Sequence, residues 1–232
     1  MFDAAVLDAL ASDDAATALR RLARPTPAEG VWALPLLKPE FLQDFREELA
    51  HLRQSGLPLR RPNGMNRHGC ILSALGFQQG LLATLARAVE PLLLVQFPNA
   101  LRRNDIAKVY GFSVLYETGG DVSLKEHADA AAATINVCLG PPGGFDGGDL
   151  VFRGVRFHDD EAATRAAVAV RHAPGTAVIH LGQHLHAASP LKSGSRENLV
   201  LWLSGLNDYV RTAPYYGLDD EPDETRTQSF AG

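Results

Sequence analysis

The stretch GTAVIHLGQHLHAASPLKSGSRENLVLWL, residues 175–203, decides the fold class. It contains two short runs rich in β-branched and aromatic residues, GTAVIHL and RENLVLWL, parted by Gly, Pro and polar residues. Between them stand three histidines within seven positions, His180, His184 and His186. Pro190 and Gly194 are turn signals, and they predict a hairpin that returns the start of the second run to the neighbourhood of His186. Arg196 enters that mostly apolar run. A guanidinium at the edge of such a strand calls for a carboxylate, which it can grip with two parallel hydrogen bonds. The neighbouring Glu197 is one candidate and a bound carboxylate ligand is the other.

Working outward, runs of the same kind recur upstream: KVYGFSVLY, ATINVCL, GGDLVFRG and AAVAVRH. Gly, Pro and acidic clusters separate them. Seven or eight short strands at this spacing predict a barrel or sandwich. No crossover helices lie between them, which argues against a parallel α/β sheet.

The front of the chain is helical in pattern. SDDAATALRRLA opens on Ser12 as an N-cap followed by acids. PEFLQDFREELAHL carries an apolar stripe at Phe41, Leu42, Phe45, Leu49 and Leu52. Apolar spacing from Ile71 to Phe97 predicts one long helix, bent or broken by Gly76, Gly80 and Pro91. ARPTPAEG and LRRPNGMNRHG read as loops. The expected organisation is a helical support region over 1–104, a strand-rich core over 105–205, and an acidic, partly disordered tail over 206–232.

Composition bounds the function. The 232 residues are 46% hydrophobic and 21% charged, with a net charge of −5, so an electrostatic nucleic-acid binder is not expected. The two cysteines, Cys70 and Cys138, follow no metal-binding or disulfide pattern. MFDAAVLDAL lacks the basic start of a secretory signal, and VEPLLLVQFP is too short to span a bilayer. A cytoplasmic protein without membrane contact is the expectation.

The chemistry begins at His127 and Asp129 in LKEHADAAAATINVCLG. Two residues apart on an extended strand, they share a face. A second histidine from a distant strand would complete a two-histidine, one-carboxylate set that leaves positions open on an octahedral metal. Taken alone, His-x-Asp is a weak signal and reads first as an exposed polar pair.

Together, Tyr116-Glu-Thr-Gly, His127-Ala-Asp129, His186 and Arg196 resemble the 2-oxoglutarate- and iron(II)-dependent dioxygenases of the prolyl and lysyl hydroxylase-like branch. TINVCLG, GGDLVF and RPNGMNRHG are similar to segments of that branch, and the resemblance spans about residues 30–205. It implies an α+β protein whose core is a double-stranded β-helix, a jelly-roll or cupin-like barrel, with an N-terminal helical layer packed on the sheet. It implies that His127, Asp129 and His186 hold Fe(II) and that Arg196 pairs the far carboxylate of 2-oxoglutarate. Tyr116 and Asn136 would lie near the cosubstrate. Strict alternation from Asp129 puts Asn136 on the opposite face, so its carry-over requires irregular backbone across Ala130–Ala133. Asn66 and Arg67 would meet the primary substrate. Ala128 is small where relatives often carry more bulk, which implies a roomier mouth. The implied reaction hydroxylates a C–H bond with O2, releasing succinate and CO2, and ascorbate would support it. A protein side chain, a free amino acid and a small metabolite all remain open as substrate. Oligomeric state is also open.

Within the opening stretch, the resemblance leaves His180 as a core histidine and His184 as a rim residue. His51, His68, His158 and His172 have no ligand spacing and default to the surface. A zinc-dependent hydrolase and a non-catalytic metal-binding sensor barrel are the rival readings. Arg196 at this spacing argues against the hydrolase.

Overall fold

The computed structural model describes residues 1–101, 109–156 and 161–204. His158 and the acidic tail lie outside the described residues.

Two antiparallel sheets face each other. The larger runs β1(Arg24–Pro25), β2(Trp32–Pro35), β10(Thr176–Leu181), β6(Ala133–Cys138), β12(Leu191–Leu203), β4(Val109–Glu117), β3(Gly69–Ile71), with β7(Phe145–Gly147) also on β12. The smaller runs β5(Leu124–His127), β11(His184–Ala188), β8(Leu150–Val155), β9(Val168–Val170). This is the double-stranded β-helix that the resemblance implied.

Side-chain alternation divides the larger sheet into two faces. Ile135, Val137, Ala177, Ile179, Leu199, Leu201 and Leu203 point outward into one continuous core. Helices α1(Ala4–Leu10), α2(Ala15–Leu22), α3(Pro39–Gln54) and α4(Ala83–Gln96) cover that face with Val6, Leu19, Leu42, Phe45, Leu49, Leu85, Val89 and Leu92. The alternate residues point to the other sheet. Among them are Thr134, Asn136, Arg196 and Asn198, and all four are buried. Burying so much polar surface on an inner face is costly unless it is used.

The stripe expected in PEFLQDFREELAHL is α3, which starts on Pro39 and buries Leu42, Phe45 and Leu49. Four expectations about the chain's local structure fail. Ser12 caps no helix: its hydroxyl donates to Ala9 O at the end of α1. The caps are Asp3 and Asp14, whose carboxylates accept from Ala5 N and Thr17 N. ARPTPAEG is not wholly loop, because Arg24–Pro25 pairs with β2.

The helix expected from Ile71 to Phe97 begins late. Ile71 ends β3, and a 3-10 turn over Leu72–Leu75 stops at Gly76 with φ +86°. A π turn over Gln78–Leu82 then leads into α4, which carries Pro91 inside it. The expected hairpin at Pro190 is also absent. β11 pairs with β5 and β8, whereas β12 pairs with β4, β6 and β7, so the chain changes sheets at Ser189–Pro190. A tight hairpin needs positive φ at its centre, which proline cannot adopt.

Candidate metal and carboxylate site

The strand pairing of the smaller sheet sets His186 directly opposite His127. Their rings lie 4.3 Å apart. Asp129 reaches them by a route the sequence reading did not foresee. It does not continue the strand of His127: β5 stops at that residue and β6 begins at Ala133 in the other sheet. The connecting backbone is anchored by Asp129 N donating to Gly182 O at 2.8 Å and Gly182 N donating to Ala132 O at 3.0 Å. Gly182 must be glycine, since a Cβ there would sit 1.9 Å from Ala131 O. This irregular crossing also resets the alternation, so Asn136 lines the same cavity as Asp129.

The ligand atoms of His127, Asp129 and His186 all lie within 4.8 Å of one another. Asp129 Oδ1 is 3.4 Å from His127 Nε2, and Oδ2 is 3.7 Å from His186 Nε2. Each ring's other nitrogen is already engaged. His127 Nδ1 donates to Lys125 O at 2.8 Å, and His186 Nδ1 donates to His184 O at 2.9 Å. That leaves both Nε2 lone pairs turned toward the carboxylate, the tautomer a metal ligand needs. Electrostatics agree. Burial alone would raise the Asp129 pKa, yet the imidazoles of His186 and His127 hold it well below the usual carboxylate range. Burial opposes protonation of His127, but Asp129 outweighs it and the pKa rises. Burial wins at His186, whose pKa falls despite Asp129. Two imidazole nitrogens and one carboxylate suit a divalent first-row metal such as iron(II).

Arg196 is 1% exposed. Its Nη1 donates to Gly148 O, while Nε and Nη2 are buried without a hydrogen-bond partner. Gly148 has φ +70°, and a Cβ there would press on the guanidinium at 3.1 Å, so glycine makes room for it. The guanidinium lies over the Tyr116 ring, 4.9 Å from its centroid. Burial pulls the Arg196 pKa down and pushes that of Tyr116 up. Glu197 is not its partner: it faces the helices and pairs with Arg53 of α3 at 2.7 Å. A buried guanidinium with unused donors calls for an anionic partner.

The cavity is lined by the three ligand candidates, by Asn66, Tyr116, Asn136 and Asn198, and by an apolar wall that includes Phe112 and Trp202. Asn198 was missed by the sequence reading. It donates to Asn136 Oδ1 at 2.9 Å, and its position two residues beyond Arg196 on one strand was the available signal. Phe112 and Trp202 meet edge to face, with centroids 5.1 Å apart.

Loop 62–68 lies over this cavity. Asn63 Oδ1 accepts from Met65 N and Asn66 N, and Tyr110 Oη donates to Pro62 O. Asn66 is 1% exposed and turns inward. Arg67 does not join it: the residue is exposed, outside the lining, with its backbone N–H donating to Asp121 Oδ2.

Among the other histidines, His180 is fully buried as expected, 4.6 Å ring to ring from His186, with burial taking its pKa to about 3. His184 is no rim residue. It is 2% exposed and packs edge-on to Phe152 at 5.1 Å. His172 is likewise buried, placed by Nε2 donating to Asn136 O and Thr176 O. Both surprises arise because polar residues can be drawn inside when backbone carbonyls or rings await them. His51 is exposed, and His68 is half-buried against Asp121. Replacing His180 or His184 by alanine should leave metal affinity within about tenfold of wild type, the lower end of effects from residues behind the ligands. Isothermal titration with Mn(II) measures this.

Residues 1–102 match the model of the OGFOD2-like domain. The human 2-oxoglutarate and iron-dependent oxygenase domain-containing protein 2 is 37% identical over 186 residues, covering 80% of this chain and 52% of that protein. The chain belongs to the 2-oxoglutarate- and iron-dependent oxygenases. The oxygenase domain-containing protein ICU11 of Arabidopsis thaliana is 33% identical over 180 residues, 75% of this chain and 45% of its own length. The chain thus spans about half the length of these relatives. Among solved structures, a Pseudomonas putida prolyl-4-hydroxylase matches with TM-score 0.51 at 16% identity, covering 75% of this chain and 91% of its own. The α-ketoglutarate-dependent epimerase SnoN of nogalamycin biosynthesis matches with TM-score 0.55 at 18% identity, covering 81% and 84%. They share the oxygenase's double-stranded β-helix. Members of the family act on proteins or small molecules. The zinc hydrolase and sensor readings are not favoured.

Proposed function

We propose that this oxygenase is an Fe(II)- and 2-oxoglutarate-dependent dioxygenase that hydroxylates a C–H bond. The observation that carries the proposal is the pairing of a clustered His127–Asp129–His186 set with a buried guanidinium whose Nε and Nη2 lack partners. His127 and His186 would bind iron through Nε2, and Asp129 through its carboxylate. Bound there, iron(II) would supply the oxidative chemistry by which 2-oxoglutarate and O2 yield succinate, CO2 and a hydroxylated product.

The chain's own residues orient and shield that chemistry. Arg196 would grip the distal carboxylate of 2-oxoglutarate, stiffened by Tyr116 beneath it. The Asn136–Asn198 pair presents polar atoms to the cosubstrate. The wall of Phe112, Val114, Val200 and Trp202 keeps the cavity dry and meets the substrate. Ascorbate would help to keep the iron reduced. The primary substrate is a protein side chain, an amino acid or a small metabolite. The buried, unpaired Cys70 and Cys138 favour a reducing cytoplasm. No helix among the described residues is long and apolar enough to cross a membrane.

Anaerobic addition of Fe(II) and then 2-oxoglutarate tests this reading, because chelation of iron by the keto acid produces a metal-to-ligand charge-transfer band. Failure of that band to form on a folded, iron-loaded protein would end the proposal. The same titration examines the loop. Asn66→Ala should leave 2-oxoglutarate binding nearly unchanged while impairing coupled turnover of the primary substrate. Arg67→Ala, exposed and outside the cavity, should leave both intact. If Asn66→Ala weakens 2-oxoglutarate as strongly as a change at Arg196 does, Asn66 belongs to the cosubstrate pocket instead.

A further inference from the structure

The carboxylate of Asp129 is restrained by a contact that the ligand set does not explain. Thr134 Oγ1 donates to Asp129 Oδ2 at 2.6 Å. Thr134 is fully buried and Asp129 is 3% exposed. Thr134 sits in β6 between two partners, opposite His180 of β10 and Trp202 of β12, so both flanking ladders fix its hydroxyl. The backbone of Asp129 is separately tied to Gly182 O. The main chain is therefore held from the turn after β10 and the side chain from β6.

The bond is short and charge-assisted, which makes it a strong restraint. An unrestrained carboxylate can offer both oxygens to one cation. With the threonine proton on Oδ2, the oxygen that Thr134 leaves free is Oδ1, which faces His127 Nε2 at 3.4 Å. A carboxylate that binds through one oxygen occupies one coordination position and leaves the others for cosubstrate and O2.

We propose that Thr134 is a positioning residue: its hydroxyl holds Asp129 so that Oδ1 is the oxygen offered to the metal, and so keeps a coordination position open. The inference rests on the metal-site reading above. It needs no activity assay, because Co(II) is a visible probe of ligand number.

The experiment is an anaerobic Co(II) titration of the full chain, followed through the d–d absorption bands, before and after 2-oxoglutarate. Thr134→Ser retains the hydroxyl and should match wild type in spectrum and, within about threefold, in affinity. Thr134→Val and Thr134→Ala lack it. They should bind Co(II) about 10- to 100-fold more weakly, with altered bands and a diminished response to 2-oxoglutarate. Two alanine and valine variants guard against one of them failing to fold, and Thr134→Ser controls for loss of the methyl group. Wild-type affinity and bands in either hydroxyl-free variant would overturn the proposal. So would a serine variant that behaves like valine, since packing would then be the cause. No Co(II) binding by the wild-type chain would instead defeat the metal-site reading itself.

Discussion

His186→Ala should abolish metal binding and turnover, and His127→Ala and Asp129→Ala should do the same. Each residue supplies one of the three donors gathered within 4.8 Å of one another among the described residues. Removing an imidazole leaves two donors for a metal that chooses among similar sites by ligand number and geometry. Removing Asp129 is worse electrostatically. Two buried imidazoles would then confront a dication with no protein anion among the ligands. Isothermal titration with Mn(II), with thermal melting to show that each variant folds, checks this. A His184→Ala protein without metal beside a fully loaded His186→Ala protein would reverse the assignment of the two histidines.

Arg196→Ala should have the second-largest effect, and of a different kind. Iron should stay bound, because Arg196 is not among the ligand candidates. Affinity for 2-oxoglutarate should fall about thirtyfold or more, the consequence of losing a charge-assisted bond to a desolvated carboxylate at roughly 2–5 kcal/mol. Arg196→Lys should recover only part of it. Lysine offers a point charge where the planar guanidinium lies over Tyr116 and can present two parallel donors. Titrating the charge-transfer band under anaerobic Fe(II) separates the two losses. Unchanged 2-oxoglutarate affinity in Arg196→Ala would move the cosubstrate pocket elsewhere.

What the sequence revealed follows from how local each signal is. The long strands β4, β6, β10 and β12 are dense in β-branched and aromatic residues, so pattern alone exposes them. β5, β7 and β11 are short and built from Leu-Lys-Glu-His, Phe-Asp-Gly and His-Leu-His-Ala-Ala. No intrinsic preference makes them strands. They are extended because their neighbours in the sheet supply hydrogen bonds. For the same reason the hairpin expected at Pro190 turned into a change of sheet.

The site was readable at residues with distinctive chemistry. His127, Asp129, His186 and Arg196 could be picked out, and the fold brings the three ligand candidates together and buries Arg196 on β12 of the larger sheet. The route by which Asp129 reaches His127 is not local. Strand alternation was expected, whereas Asp129 arrives on an irregular crossing between sheets pinned by Gly182. Thr134, Asn198 and the burial of His172 and His184 depend on contacts between distant strands, which no local pattern encodes. The separation of Asn66 from Arg67 is similarly a product of the Asn63 turn, which rotates one side chain inward and leaves the next exposed.

The most direct measurement is succinate formation from 2-oxoglutarate in the absence of any primary substrate, with O2, ascorbate and either Fe(II) or Zn(II). The expected result is slow, Fe(II)-dependent succinate release by the wild-type chain, none with Zn(II), and none from His186→Ala under either metal. Hydrolytic turnover supported by Zn(II), with no succinate under Fe(II), would contradict the oxygenase reading.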